Sequence, residues 1–102
     1  MGDISLRDRC YKLIARIPRG RITTYKEVAE ALGIKGYRLV GMFLSRNPRP
    51  VEIPCHRVVK SNGDVGGYIF GVEKKIELLR SEGIVVKNRK IENLQRYFFR
   101  LK

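Results

Sequence analysis

The chain has 102 residues, of which 22 are Lys or Arg and 10 are Asp or Glu, leaving a formal charge of +12. That length suits one domain around one core, and a hydrophobic fraction of 43% is enough to fill it. The apolar runs are far shorter than the roughly 20 residues of a membrane span, and the N-terminus MGDISLRDRC lacks a signal-peptide core, so an intracellular protein is expected. Two cysteines and one histidine exclude a disulfide framework, and Cys10, Cys55 and His56 fall short of the about four ligands of a structural zinc site. The charge calls for a polyanionic partner, with nucleic acid ahead of an anionic membrane surface or an acidic protein.

Between Ile4 and Ile17, apolar groups at Leu6, Cys10, Leu13, Ile14 and Ile17 follow helical spacing, and Pro18 and Gly20 end the segment. Thr24 reads as the N-cap of a helix over Tyr25 to Leu32, with Glu27 reaching back to close a capping box and Gly33 as the stop. A second short helix over Tyr37 to Ser45 puts Val40, Phe43 and Leu44 on one side and Arg38, Gly41 and Ser45 on the other, making a helix-turn-helix. Asn47-Pro48 closes it, and a proline-stiffened loop runs to Pro54. Val58-Val59 and Val65 flank Ser61-Asn62-Gly63-Asp64, which predicts a hairpin wing. Val72, Ile76 and Leu79 predict a helix from Gly71 to Glu82, stopped by Gly83. A strand candidate at Ile84 to Val86 and a basic aromatic tail, Gln95 to Arg100, complete the chain. The expected class is mainly α, a winged helix-turn-helix with a small β-hairpin, in one domain over 1–102 with an extension from about 84.

Reactive side chains crowd together at Pro54-Cys55-His56-Arg57-Val58-Val59. A cysteine beside a base and a cation is expected to have a depressed pKa, and its thiolate is a nucleophile. Cys10, on the apolar stripe of the first helix, reads as core packing.

This hexapeptide and its surroundings resemble the C-terminal, active-site domain of the O6-alkylguanine-DNA alkyltransferases. Ile22-Thr23-Thr24-Tyr25, Arg38 with Val40-Gly41, Arg46-Asn47-Pro48 and Ile53 to Val59 come in family order, followed by Val65-Gly66-Gly67-Tyr68, Gly71, Lys75, Leu78-Leu79 and Glu82-Gly83. The resemblance implies direct, irreversible transfer of an alkyl group from O6 of guanine in duplex DNA to Cys55, without a cofactor and by a monomer. It implies that His56 takes the thiol proton through a water, that Glu82 orients the imidazole, and that Asn47 ties the helix-turn-helix to the active-site turn. The nucleotide is flipped into a pocket, with Arg38 as the finger in the vacated space and the second helix in the minor groove, where Gly41 and Ser45 allow close approach. Tyr25 helps rotate the phosphate and bonds the base, Tyr68 walls the pocket, the Val58 carbonyl and Ile69 amide meet the guanine, and Lys75 sits near Tyr25. By its surroundings alone, Lys75 reads as part of an ordinary charged helix surface.

Met42 and Phe43 stand where the family carries small residues, and Phe70 stands where it often has glycine, so a narrowed pocket is expected. No separate N-terminal domain of the family's kind is expected. This short organisation, with an aromatic tail at Leu94 to Phe99, also resembles the alkyltransferase-like proteins, which bind O6-alkylguanine DNA as sensors and lack the acceptor cysteine. A plain winged-helix regulator would need neither the Pro-Cys-His-Arg turn nor Glu82.

Overall fold

The computed structural model describes residues 5–102, so Ile4 lies outside the described residues. Helix α1 spans Leu6–Ile14, with Ser5 as its N-cap accepting from Asp8 N–H. It ends earlier than Ile17 because Arg16 and Ile17 bond back only three residues, to Leu13 and Ile14, and Pro18 disfavours α geometry before it. Strand β1 (Thr23–Thr24) leads directly into α2 (Tyr25–Leu32), capped by Thr24 and closed by Gly33 in the left-handed region at φ 75°. Helix α3 spans Arg38–Ser45, with Tyr37 as its N-cap. Helix α4 (Val72–Ser81) ends at Glu82 and Gly83, where Ile84 N–H returns to the Leu79 carbonyl in a Schellman closure. After it come β3 (Val86–Lys87), β4 (Lys90–Ile91) and the short α5 (Leu94–Tyr97). No helix among the described residues is long and apolar enough to cross a membrane.

The mainly helical winged helix-turn-helix class stands, but the predicted wing pairs differently. Strand β2 (Val58–Val59) does not fold back on Val65; it runs parallel to β1, with Thr23 opposite Val58 and Thr24 opposite Val59. The Lys60 to Asp64 turn does form, closed by Lys60 N–H to the Asp64 carbonyl at 2.9 Å. Side chains of Asn62 and Asp64 then capture the amides two residues on, at 2.9 and 2.8 Å, and curl the chain away from β2. Val65 donates instead to Arg89, in the hairpin of β3 and β4. Asn88 and Arg89 form that hairpin's tip, both left-handed at φ 51° and 64°, as a tight hairpin turn demands.

Two apolar clusters result. One gathers Cys10, Ile14, Val28, Val40, Leu44 and Cys55 beneath the three helices, so the thiol sits at the edge of the core. The other joins Ile22, Val59, Leu79 and Ile84. Burial pushes the Cys10 thiol up to about 12, consistent with its place as a packing residue.

The capping box at Thr24 is half formed. Thr24 accepts from Glu27 N–H at 3.0 Å, but the buried Glu27 carboxylate turns to the far end of the chain and accepts from Leu101 N–H at 2.7 Å and Lys102 N–H at 3.0 Å. Phe99 N–H donates to Ile22 and Ile22 N–H to Tyr97, so the tail meets the residue before β1 in a single parallel bridge. Glu27→Ala strands two tail amides, each worth about 1–3 kcal/mol if left unsatisfied. Thermal unfolding should drop by roughly 10 °C, and by much less in Glu27→Gln, whose amide oxygen still accepts; equal midpoints for both variants would show that Glu27 does not hold the tail.

Candidate active site

Pro54 (φ −79°, ψ 63°) makes an inverse γ-turn, so Cys55 N–H donates to the Ile53 carbonyl at 2.7 Å. Asn47 Nδ2 reaches the same carbonyl at 2.8 Å while its Oδ1 accepts from Arg49 N–H at 2.9 Å. Asn47 is thereby a buried strut between the end of α3 and the cysteine turn. Cys55–Arg57 is one turn of 3-10 helix, and three residues per turn fan consecutive side chains about 120° apart. Cys55, His56 and Arg57 can then face three different surroundings although they are neighbours in sequence.

Cys55 faces a cavity of about 280 Å³. Gly41, Leu44 and Ser45 of α3 form one wall, and Tyr25 with Gly67, Tyr68 and Ile69 forms the rest. His56 is fully buried, with Nε2 2.8 Å from Glu82 Oε2. Arg57 forks onto the same carboxylate, Nε to Oε1 at 2.9 Å and Nη2 to Oε2 at 2.8 Å, and its Nη1 donates to the Ile17 carbonyl at 2.8 Å. Burial alone would raise the Glu82 pKa, but the bonds from Arg57 and then His56 outweigh it and hold the carboxyl below its ordinary value. An ionised Glu82 can only accept, so the hydrogen-bond network assigns the proton to Nε2 and leaves the lone pair on Nδ1. That Nδ1 is buried with no partner among the described residues. Burial also keeps His56 below 6.5, despite the pull of Glu82. The imidazole is a neutral base at neutral pH.

The thiol itself is not pre-ionised, contrary to the expectation from its neighbours. Burial pushes Cys55 above its ordinary 9.0, and the Asn47 side chain and the Lys75 charge only offset part of that. Arg57 cannot help, because its charge is already matched by Glu82.

Lys75 corrects the sequence reading most sharply. It is fully buried rather than part of a charged surface, and Nζ donates to the carbonyls of Val58 at 2.7 Å and Gly67 at 3.0 Å and approaches Tyr25 Oη at 3.5 Å. Burial lowers it to about 7 and pushes the Tyr25 phenol up to about 12. The signal was legible: Lys75 lies three residues after Val72 and four before Leu79, on the apolar stripe of α4. The Val58 carbonyl, assigned to the guanine amino group, is occupied by this ammonium and does not line the cavity.

Arg38 opens α3, exposed and without an ion pair among the described residues. A Cβ at Gly41 would meet nothing within 4 Å, so that face is open to close approach. The Ser45 hydroxyl donates to the Met42 carbonyl at 2.7 Å. Phe43 packs against the core and Met42 points outward, while Phe70, expected to narrow the pocket, stands outside its wall. A second groove at the start of α3, about 480 Å³, carries Lys26, Tyr37, Lys60, Ser61 and Asn62 and shares Tyr25 and Gly41 with the first. The role of Arg57 and this lysine groove escaped the sequence reading. Among the described residues, no three His, Cys, Asp or Glu side chains converge as a metal site.

Residues 5–84 match the family described as 6-O-methylguanine DNA methyltransferase, DNA binding domain. A methylated-DNA–protein-cysteine methyltransferase of Pyrobaculum aerophilum is 55% identical over 73 residues, covering 72% of this chain and 49% of that protein. The chain spans between a third and about half the length of the curated relatives it matches. Among solved structures, Mycobacterium tuberculosis OGT in complex with DNA is similar with a TM-score of 0.75 and 34% identity over 80% of this chain and 51% of that one. S. pombe Atl1 in complex with damaged DNA containing O6-carboxymethylguanine is similar with a TM-score of 0.80 and 25% identity over 98% of this chain and 99% of that one. With its site geometry and these likenesses together, the chain belongs to the 6-O-methylguanine DNA methyltransferase family and carries its DNA-binding domain.

Proposed function

We propose that this protein repairs duplex DNA by moving the alkyl group of O6-alkylguanine onto Cys55, once per molecule. The observation that carries the reading is the Cys55 thiol in a base-sized cavity beside a neutral His56, keyed by the Glu82–Arg57 pair. The likeness to DNA-bound OGT supports duplex DNA as the partner, and the open Gly41 face of α3 supports approach from the minor groove.

The thiol proton passes through a water to His56 Nδ1, which no protein group occupies among the described residues, and the imidazolium is stabilised by Glu82. The sulfur attacks the alkyl carbon in line with its bond to O6; the S–C bond forms, the C–O bond breaks, and the departing guanine takes up one proton to become the unmodified base. Tyr25, whose phenol stays protonated, donates to the base. Lys75 draws Tyr25, Val58 and Gly67 into one frame behind the pocket. Arg38 fills the stack where the nucleotide leaves it, and Lys26 and Lys60 of the second groove neutralise the strand that is turned.

The whole-length likeness to Atl1 favours a second reading, a lesion-binding sensor in which Cys55 stays unmodified. Intact mass after incubation with a duplex carrying one O6-methylguanine separates the two. A gain of one methyl, mapped to Cys55 and absent in Cys55→Ala, is expected; tight lesion binding with no mass gain would establish the sensor.

The transfer rate should fall with acid. His56 has a lowered pKa, so the base is intact at neutral pH and is lost only as pH drops below a midpoint under 6.5. In folded His56→Gln, control passes to a thiol held above 9.0, and the rate should climb only in the alkaline range. Lys75, losing charge near 7, acts in the opposite sense and cannot produce the acid limb. An acid limb that persists unchanged in folded His56→Gln would remove His56 as the base.

Arg38→Ala should slow transfer from duplex DNA by at least about tenfold more than from the free base, since the free base needs no extrusion. Equal losses on both substrates would take Arg38 out of the finger role.

A further inference from the structure

The most exposed large apolar side chain among the described residues is Phe70, at 61%. It follows two cavity residues, Tyr68 and Ile69, yet stands outside the cavity wall. A tight turn holds it there: Gly71 N–H bonds the Tyr68 carbonyl at 3.0 Å, and Gly71, at φ 94°, starts α4 from a backbone conformation that favours glycine. The ring is also braced edge-on against Tyr68, at 5.8 Å and 83°, and Tyr68 stands edge-on to His56 at 6.4 Å and 75°. Phe70 is thus a water-exposed aromatic ring next in sequence to the cavity residues Tyr68 and Ile69, joined to His56 through one intervening ring.

The rim has two sides. Arg38 and Met42 are exposed on α3, the helix whose Gly41, Leu44 and Ser45 form one wall, while Ile69, 41% exposed, and Phe70 lie on the segment that carries Gly67 and Tyr68 of the other. A nucleotide leaving a duplex for this cavity uncovers a face of each flanking base, and one guanidinium is smaller than the base area it would have to cover. An exposed aromatic face offers a base a stacking surface of any sequence.

We propose that Phe70 is a second stacking residue, packing on one of the two bases that flank the extruded nucleotide and sharing with Arg38 the stacking surface that extrusion uncovers. The inference rests on the proposed extrusion of O6-alkylguanine into the Cys55 cavity. It names a positioning residue that acts on the duplex and not on the transferred group.

The test uses duplexes with one O6-methylguanine and 2-aminopurine at one flank or the other, and a third with 2-aminopurine in place of the lesion base. In the wild-type complex, emission at one flank should stay quenched; Phe70→Ala should raise it several-fold at that flank only, and Phe70→Trp should restore quenching. The ratio of duplex to free-base transfer, read by intact mass, should fall about tenfold in Phe70→Ala, within the range of aromatic stacking on a base. Equal falls on both substrates would make Phe70 a pocket wall and overturn the inference. Unchanged emission at both flanks would leave the ring facing solvent and overturn it as well. Failure of the underlying reading is seen separately: 2-aminopurine in the lesion position that does not brighten on binding means no extrusion, and the inference falls with it. A wild type that extrudes but does not transfer fails as an alkyltransferase, while the flank emission still decides the role of Phe70. Circular dichroism of both variants, changed at an exposed position, confirms that the fold is kept.

Discussion

One nearly buried carboxylate organises the active centre. Glu82 closes α4 at the negative end of the helix dipole, an unfavourable place for an anion. It is kept ionised there by the Arg57 fork and the His56 ring, and Arg57 also reaches the Ile17 carbonyl beyond α1. The cluster thus joins α4, the cysteine turn and the end of the α1 segment. Such a pair contributes little net stability against its desolvation cost, yet removing one partner leaves a buried charge worth about 3–5 kcal/mol in lost stability. In the proposed reaction its use is chemical: an acceptor-only Glu82 fixes which nitrogen of His56 is basic, and the 3-10 turn points Cys55 into the cavity.

The same constraint explains the parallel strand pair. Cys55, His56 and Arg57 are useful only if the turn is held at both ends. Asn47 and the γ-turn at Pro54 hold the first end, and β2 paired with β1 holds the second. Because β1 runs straight into α2, that pairing also sets Tyr25 across the cavity from Cys55. The tail, bridged to Ile22 just before β1 and caught by Glu27, holds the entry to the strand. Lys75 completes the frame from α4, with its ammonium on Val58, Gly67 and Tyr25.

The helices were legible in the sequence because their signals are local. Thr24 and Gly33 bound α2, and Gly71 and Gly83 bracket α4, whatever the rest of the chain does. The wing was misread because Asn-Gly reports a turn and not the partner strand; pairing was decided by where two fully buried valines could go. Glu27 misled in the same way, since a capping box is a local option and two distant amides offered a better one. Within the site, Cys55, His56, Asn47 and Glu82 were singled out through the family's pattern, and the fold gathers them around one turn. Lys75 was set among charged neighbours because three of its four flanking residues, Glu73, Lys74 and Glu77, are charged, while its helical stripe pointed inward. Arg57 was assigned to the thiol by adjacency in sequence, which a 3-10 turn undoes.

The electrostatics favour a resting site that is chemically quiet. A thiolate beside an imidazolium would be nucleophilic toward any electrophile that reached it, and a protein that is not regenerated would be lost to such reactions. Here burial acts on both partners in the direction of neutrality, raising the thiol and lowering the imidazole. Proton transfer between them is therefore uphill until something in the cavity stabilises the charge that develops. In the proposed transfer, a guanine base whose O6 gains electron density as its alkyl carbon departs, facing the Tyr25 hydroxyl backed by Lys75, would supply that stabilisation only while the reaction is under way. Burial, which at first sight disables Cys55, is on this argument what confines its reactivity to a base seated in the pocket.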